Sequence, residues 1–203
     1  MKRPSRSHNE APVRLFQNEI LERLTQISFR TFVLVWSALL LVLLIVGGKA
    51  SHSYGAFLLA TGSGFAVWFV VEYFTHRFLF HLQLRSRIGQ ALIFMLHGNH
   101  HVQPNHPLRN LMPLGLSIPL AGLLWAGGVM IGGMGNGGCF VDGFIMGYVI
   151  YDVVHYACHQ FPMRLPVLRS IKKHHVQHHY VAPESNFAIT AIFLDRVFRT
   201  KIH

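Results

Sequence analysis

Long apolar runs separated by short polar turns set the plan of this chain. Thr31 to Gly48 is eighteen residues without a charge, close to the roughly 20 that cross a bilayer core as a helix. After the turn Gly47-Gly48-Lys49-Ala50-Ser51-His52-Ser53, apolar positions resume at Tyr54 and run to Val71, with room to continue through Glu72 and Thr75. So short a turn predicts a hairpin. Pro113 to Met134 and Cys139 to Ala157 repeat that design around Gly135-Asn136-Gly137-Gly138. Ahead of both hairpins, Val13, Phe16, Ile20, Leu24 and Ile27 recur at three and four, the period of an amphipathic helix lying on a membrane surface.

The expectation is therefore an all-α integral membrane protein with four transmembrane helices in two hairpins and a cytoplasmic helical cap. Residues 1–30 form a cytoplasmic tail and interfacial helix, and residues 31–203 the membrane domain, with spans near 31–48, 54–75, 113–134 and 139–159. The first run is not a signal peptide, because the basic region before it is too long and no small-residue cleavage pattern follows.

Composition sharpens the topology. Hydrophobic residues make up 51% and charged residues 13%, and 18 Lys+Arg against 8 Asp+Glu leave a formal charge of +10. With four crossings, every basic residue except Lys49 falls on the side of the termini. Such asymmetry places that side in the cytoplasm, together with both termini. No nucleic-acid partner is expected: the basic residues are scattered at segment ends, and no nucleic-acid-binding signature accompanies them. Cys139 and Cys158 sit at opposite ends of one predicted helix, about 28 Å apart at 1.5 Å per residue, which is beyond disulfide reach.

Ten histidines then stand out in four clusters on that cytoplasmic side. They are His76 and His81; His97, His100 and His101; His155 and His159; and His175, His178 and His179. Imidazole is the commonest metal ligand, suited to iron, zinc, copper and nickel. Ten exceed the roughly six that one transition ion accepts, so two ions with about five nitrogens each would use them all. His155 and His159 are four apart and project from one helical face. Each His-x-x-His-His triplet can serve two ions from one turn, because its middle residue is offset by about 100°. His76 and His81 are five apart, roughly 500° of helix, and need a local distortion to share a face. Glu72 and Asp152, four and three residues before a cluster histidine, suit a supporting role, accepting a ligand's second N–H and fixing its tautomer.

The clusters resemble the fatty acid hydroxylase superfamily, which includes sterol desaturases and related di-metal membrane oxygenases, and most nearly its fatty acid 2-hydroxylases. The phrases that carry the resemblance are Glu72-Tyr73-Phe74-Thr75-His76 through His81, His97-Gly98-Asn99-His100-His101 with Arg109 and Met112-Pro113, Tyr151-Asp152 through His159, and Lys172 through Tyr180. The tail Asp195-Arg196-Val197-Phe198-Arg199-Thr200 also fits. By resemblance, His76, His81, His97, His101 and His178 would hold one ion, and His100, His155, His159, His175 and His179 the other. The metal would be iron, with zinc able to occupy the site in purified protein. The chain departs from the family pattern at Gln160 and His174, neither of which is an expected ligand.

The implied activity is O2-dependent hydroxylation of a fatty acyl chain, at C2 for the nearest relatives, with Arg109, Tyr180 or Asn186 positioning the head group. No His-Pro-Gly-Gly haem motif is present, so no haem is expected. Electrons would come from a separate donor of cytochrome b5 or ferredoxin type with its reductase. Sterol desaturation or carotenoid hydroxylation on the same scaffold is the enzymatic alternative. A non-catalytic membrane metal carrier is the other, although transport ligands belong at mid-membrane and these lie on one side.

Overall fold

A computed structural model describes residues 13–202; the expected tail over residues 1 to about 12 lies outside them. The described chain is helical, without a strand among those residues. Helix α1 spans Glu19–Leu24, shorter than the amphipathic pattern that runs from Val13 to Ile27. Asn18 starts it by accepting the Ile20 and Leu21 amides, and Glu22 accepts the Leu15 and Phe16 amides. The residues before Asn18 are thereby folded back as a loop.

The apolar legs follow. Ser28 caps α2, Phe29–Ala50, and Ser53 caps α3, Tyr54–Phe74, each hydroxyl accepting an amide of the first turn. Beyond α3 the helix widens into a π-helical segment, Thr75–Phe80. Helix α4, Arg87–Ile93, passes through a second π segment, Phe94–Gly98, into α5, Asn99–Val102. Then come α6, Leu114–Gly132, and α7, Cys139–Gln160.

Among the described residues, three helical stretches are long and apolar enough to cross a membrane: Phe29–Ala50, Tyr54–Phe80 and Leu114–Gln160. The third is 47 residues long, too long for one bilayer crossing, and it folds back on itself. Gly133, at φ +70°, opens the reversal, and a Cβ on Gly137 would lie 1.9 Å from the Gly128 carbonyl oxygen. The legs expose Leu34, Leu59, Leu123 and Ile131 to 71, 75, 73 and 91%. A bare apolar surface of that kind calls for an apolar surrounding.

Two contacts set the frame. Helices α3 and α7 meet backbone to backbone: a Cβ on Gly64 would lie 1.8 Å from the Phe140 carbonyl oxygen, and one on Gly143 1.8 Å from that of Thr61. Small residues at such spacings let membrane helices approach closely. At the far end the hairpin turns touch, where the Ser51 hydroxyl donates to the Gly135 carbonyl at 3.0 Å. At the opposite end α8, Pro166–Tyr180, and α9, Leu194–Val197, cover the legs. Phe187, Ala188 and Leu194 pack there against Tyr73.

Candidate metal centre

Each histidine reaches the centre through a specific turn of backbone. The π segment after α3 bonds i to i+5, and this brings His76 and His81 toward one side despite their five-residue spacing. The second π segment does the same service for His97 ahead of His100 and His101. The carbonyls of Phe94 and Met95, near that bulge, accept the Asn99 side-chain amide at 3.0 and 2.8 Å. His155 and His159 close α7, and His175, His178 and His179 lie on the last turns of α8.

Two nests result. The ligand nitrogens of His76, His81, His97, His101 and His178 all lie within 4.8 Å of one another, as do those of His100, His155, His159, His175 and His179. In the first, Nε2 pairs are 3.0 Å apart for His76 and His97, 2.9 Å for His97 and His101, and 3.2 Å for His101 and His178. In the second, they are 2.8 Å for His155 and His100, 3.0 Å for His100 and His179, 3.0 Å for His179 and His175, and 2.9 Å for His175 and His159.

The chemistry of these donors fits a cation. His76, His155 and His178 direct Nδ1 at the backbone carbonyls of Phe187, Asn110 and Ser185. A carbonyl only accepts, so Nδ1 carries the proton and Nε2 keeps its lone pair. These three lone pairs therefore point into a buried space crowded with other imidazole nitrogens, a setting suited to a positive ion. Nitrogens about 2.1 Å from one ion and at right angles lie roughly 3.0 Å apart, the spacing seen here. Burial foremost, helped by neighbouring imidazoles, holds His97, His100 and His175 far below the ordinary histidine range. The same causes set His101 to about 4. His178 is lowered to about 3, against the opposing bond to Ser185. Each of these five is neutral at physiological pH, the form that binds metal.

The supporting contacts differ from those expected. Glu72 and Asp152 bond to no imidazole. Glu72 accepts the Ile189 and Thr190 amides at 2.7 and 2.8 Å and the Thr190 hydroxyl. Asp152 accepts the Met112 amide and the Tyr148 hydroxyl, both at 3.0 Å. Backbone carbonyls take the place the carboxylates were expected to fill. Asp195, whose role no spacing in the sequence signals, accepts the Phe187 and Ala188 amides at 2.9 and 2.8 Å and pairs with buried His174 at 2.9 Å. Burial pushes the Asp195 carboxyl up, but His174, Thr200 and those amides outweigh it and hold it below the usual range.

The three residues expected at the substrate mouth separate. Asn186 is fully buried at φ 56°, donating to the His174 carbonyl at 3.2 Å and accepting the Ile202 amide at 2.9 Å, so it belongs to the scaffold. Arg109 is buried in an ion pair with Glu22, beneath α1. Tyr180 is exposed, its hydroxyl 3.4 Å from the Asn105 side-chain amide.

A model of the fatty acid hydroxylase family matches residues 61–200. Dihydroceramide fatty acyl 2-hydroxylase FAH2 of Arabidopsis thaliana is 28% identical over 187 residues, 92% of this chain and 79% of that protein. Ceramide very long chain fatty acid hydroxylase SCS7 of Saccharomyces cerevisiae is 31% identical over 96% of this chain, which spans 51% of that protein. Among solved structures, full-length scs7p, in which only the hydroxylase domain is visible, aligns with a TM-score of 0.83 at 31% identity. The alignment covers 93% of this chain and 71% of that one.

Proposed function

This chain belongs to the fatty acid hydroxylase family, and from that premise we propose that it is a multi-pass membrane enzyme hydroxylating a fatty acyl chain at C2. The observation that carries the reading is the pair of five-histidine nests built at one end of the apolar legs. Relatives named as fatty acyl 2-hydroxylases and ceramide hydroxylases support the substrate class and the position.

The residues present suit two iron ions, one in each nest, which when bound would supply the activation of O2 toward an acyl C–H bond. The chain's own part is to hold ten imidazoles in place and to fix the tautomers of His76, His178 and His155 through the carbonyls of Phe187, Ser185 and Asn110. Burial around the nests excludes water from the reacting atoms, which suppresses side reactions. Tyr180, exposed at this end of the molecule, would meet the polar head of the lipid. We further propose that the four legs all cross the bilayer and that the nests and termini face the cytoplasm, as the lone Lys49 at the opposite turn supports. Electrons would then arrive from a separate cytoplasmic-side donor.

The test is mass spectrometry of hydrolysed total lipids from cells expressing the chain, compared with cells expressing His101→Ala. A 2-hydroxy fatty acid present with the first and absent with the second is the expected result. Unchanged hydroxy acids with an altered sterol or carotenoid would overturn the substrate while leaving the nests intact.

A further inference from the structure

The two nests are not supported alike. In the first, His76 and His178 both donate Nδ1–H to carbonyls of one loop, those of Phe187 and Ser185. Four consecutive amides of that loop end on carboxylates: Phe187 and Ala188 on Asp195, Ile189 and Thr190 on Glu72. One peptide group joins the two sets. The Phe187 carbonyl and the Ala188 amide are halves of a single conjugated, planar unit. Its oxygen accepts from His76 and its N–H lies 2.8 Å from Asp195 Oδ2. Negative charge at the amide end polarises the unit and strengthens the carbonyl as an acceptor. A ligand imidazole whose N–H meets a stronger acceptor is a more basic ligand.

The second nest has no matching chain of contacts. His155 donates to the Asn110 carbonyl at 3.1 Å, but Asp152 takes the amide of Met112, which belongs to the next peptide. The Nδ1 atoms of His100, His175 and His179 are buried and meet no hydrogen-bond partner among the described residues. One imidazole there, His155, has a carbonyl behind it, against two, His76 and His178, in the first nest; packing and a bound ion would orient the rest.

We infer that Asp195 is a positioning residue that acts through the Phe187–Ala188 peptide and makes the His76 nest the tighter and more electron-rich of the two metal positions. The inference rests on reading both nests as metal sites. It predicts ordered loading, with the first equivalent of metal entering the His76 nest. Loss of the partner behind a ligand histidine typically weakens metal binding about 10- to 100-fold. One intervening peptide places Asp195 near the lower figure.

The experiment uses the full metal-free chain in detergent, titrated with cobalt(II). Wild type should bind in two steps of unequal affinity. At one equivalent, diethylpyrocarbonate mapping should find half-buried His81 and His101 protected and half-buried His159 and His179 still modified. Asp195→Asn should weaken the tighter step about tenfold and leave the weaker step in place, and Asp195→Glu should recover part of the loss. The mapping needs no variant, so the loading order can overturn the inference even where a substitution prevents folding. Simultaneous protection of both nests, protection of His159 and His179 first, or equal weakening of both steps would overturn the role given to Asp195. If wild type takes up no cobalt at all, the metal-site reading itself falls.

Discussion

Alanine at Gly143 should disturb the metal centre although it lies twelve residues before His155 on the same helix. A Cβ there would sit 1.8 Å from the Thr61 carbonyl oxygen, 2.7 Å from its carbon and 3.0 Å from the Phe65 amide nitrogen. All three are backbone atoms, so no side chain can rotate out of the way. Restoring an ordinary contact of 3.4 Å requires α3 and α7 to part by at least about 1.6 Å. Helix α3 leads into His76 and His81, α7 carries His155 and His159, and α8 serves both nests. A rigid shift of that size is about three times the ~0.5 Å tolerance of a working site, and overpacking alone costs about 1–3 kcal/mol. Metal content per purified chain and melting temperature in detergent should both fall for Gly143→Ala. Gly62→Ala is the control: its Cβ meets nothing within 4 Å, and alanine gains about 0.5–1 kcal/mol over glycine within a helix. Wild-type metal content and melting in Gly143→Ala would refute the claim that the α3–α7 contact aligns the nests.

Two further outcomes follow from the supporting contacts. Burial raises the Glu22 carboxyl, but the Phe16 and Leu15 amides and the Arg109 guanidinium outweigh it and hold it below 4.5. The stability it lends is present above pH 4.5 and lost as pH falls through the lowered folded value. Hydrogen-exchange protection over residues 15–25, taken relative to the intrinsic amide rate at each pH, should therefore fall below that pH, and Glu22→Ala should cost about 3–5 kcal/mol at neutral pH because Arg109 is left buried without its carboxylate; unchanged protection across the window would refute this. Asn186→Ala removes the partners of the His174 carbonyl and the Ile202 amide and should cost roughly 2–4 kcal/mol without moving the hydroxyl along the acyl chain. A shifted product position would return Asn186 to the substrate mouth.

The apolar legs were legible in the sequence because hydrophobic runs and glycine turns are side-chain signals: 54–75 and 139–159 match Tyr54–Phe74 and Cys139–Gln160 closely. The His76 and His81 spacing announced a distortion without saying which, and the π segment supplies it. The interfacial helix is shorter than its periodicity predicts, since Asn18 captures the Ile20 and Leu21 amides and starts the helix there. What stands behind the ligands was hidden for a different reason. The partners of His76, His155 and His178 are backbone carbonyls, and a carbonyl has no letter of its own. Asp195 and Glu72 reach the nest only through amides of a loop more than a hundred residues from Glu72.

The position of α8 in chain order fixes a sequence of events during synthesis. His175, His178 and His179 are translated after all four apolar legs, and the loop that steadies His76 comes later still. Until then the earlier histidines can offer four nitrogens to one nest and three to the other. The hairpins can pack by their glycines while the nests remain half-walled and open to small molecules. Metal capture at full strength is thus a late event, and a ribosome that stalls before Pro166 leaves an inserted membrane protein with an unfinished centre.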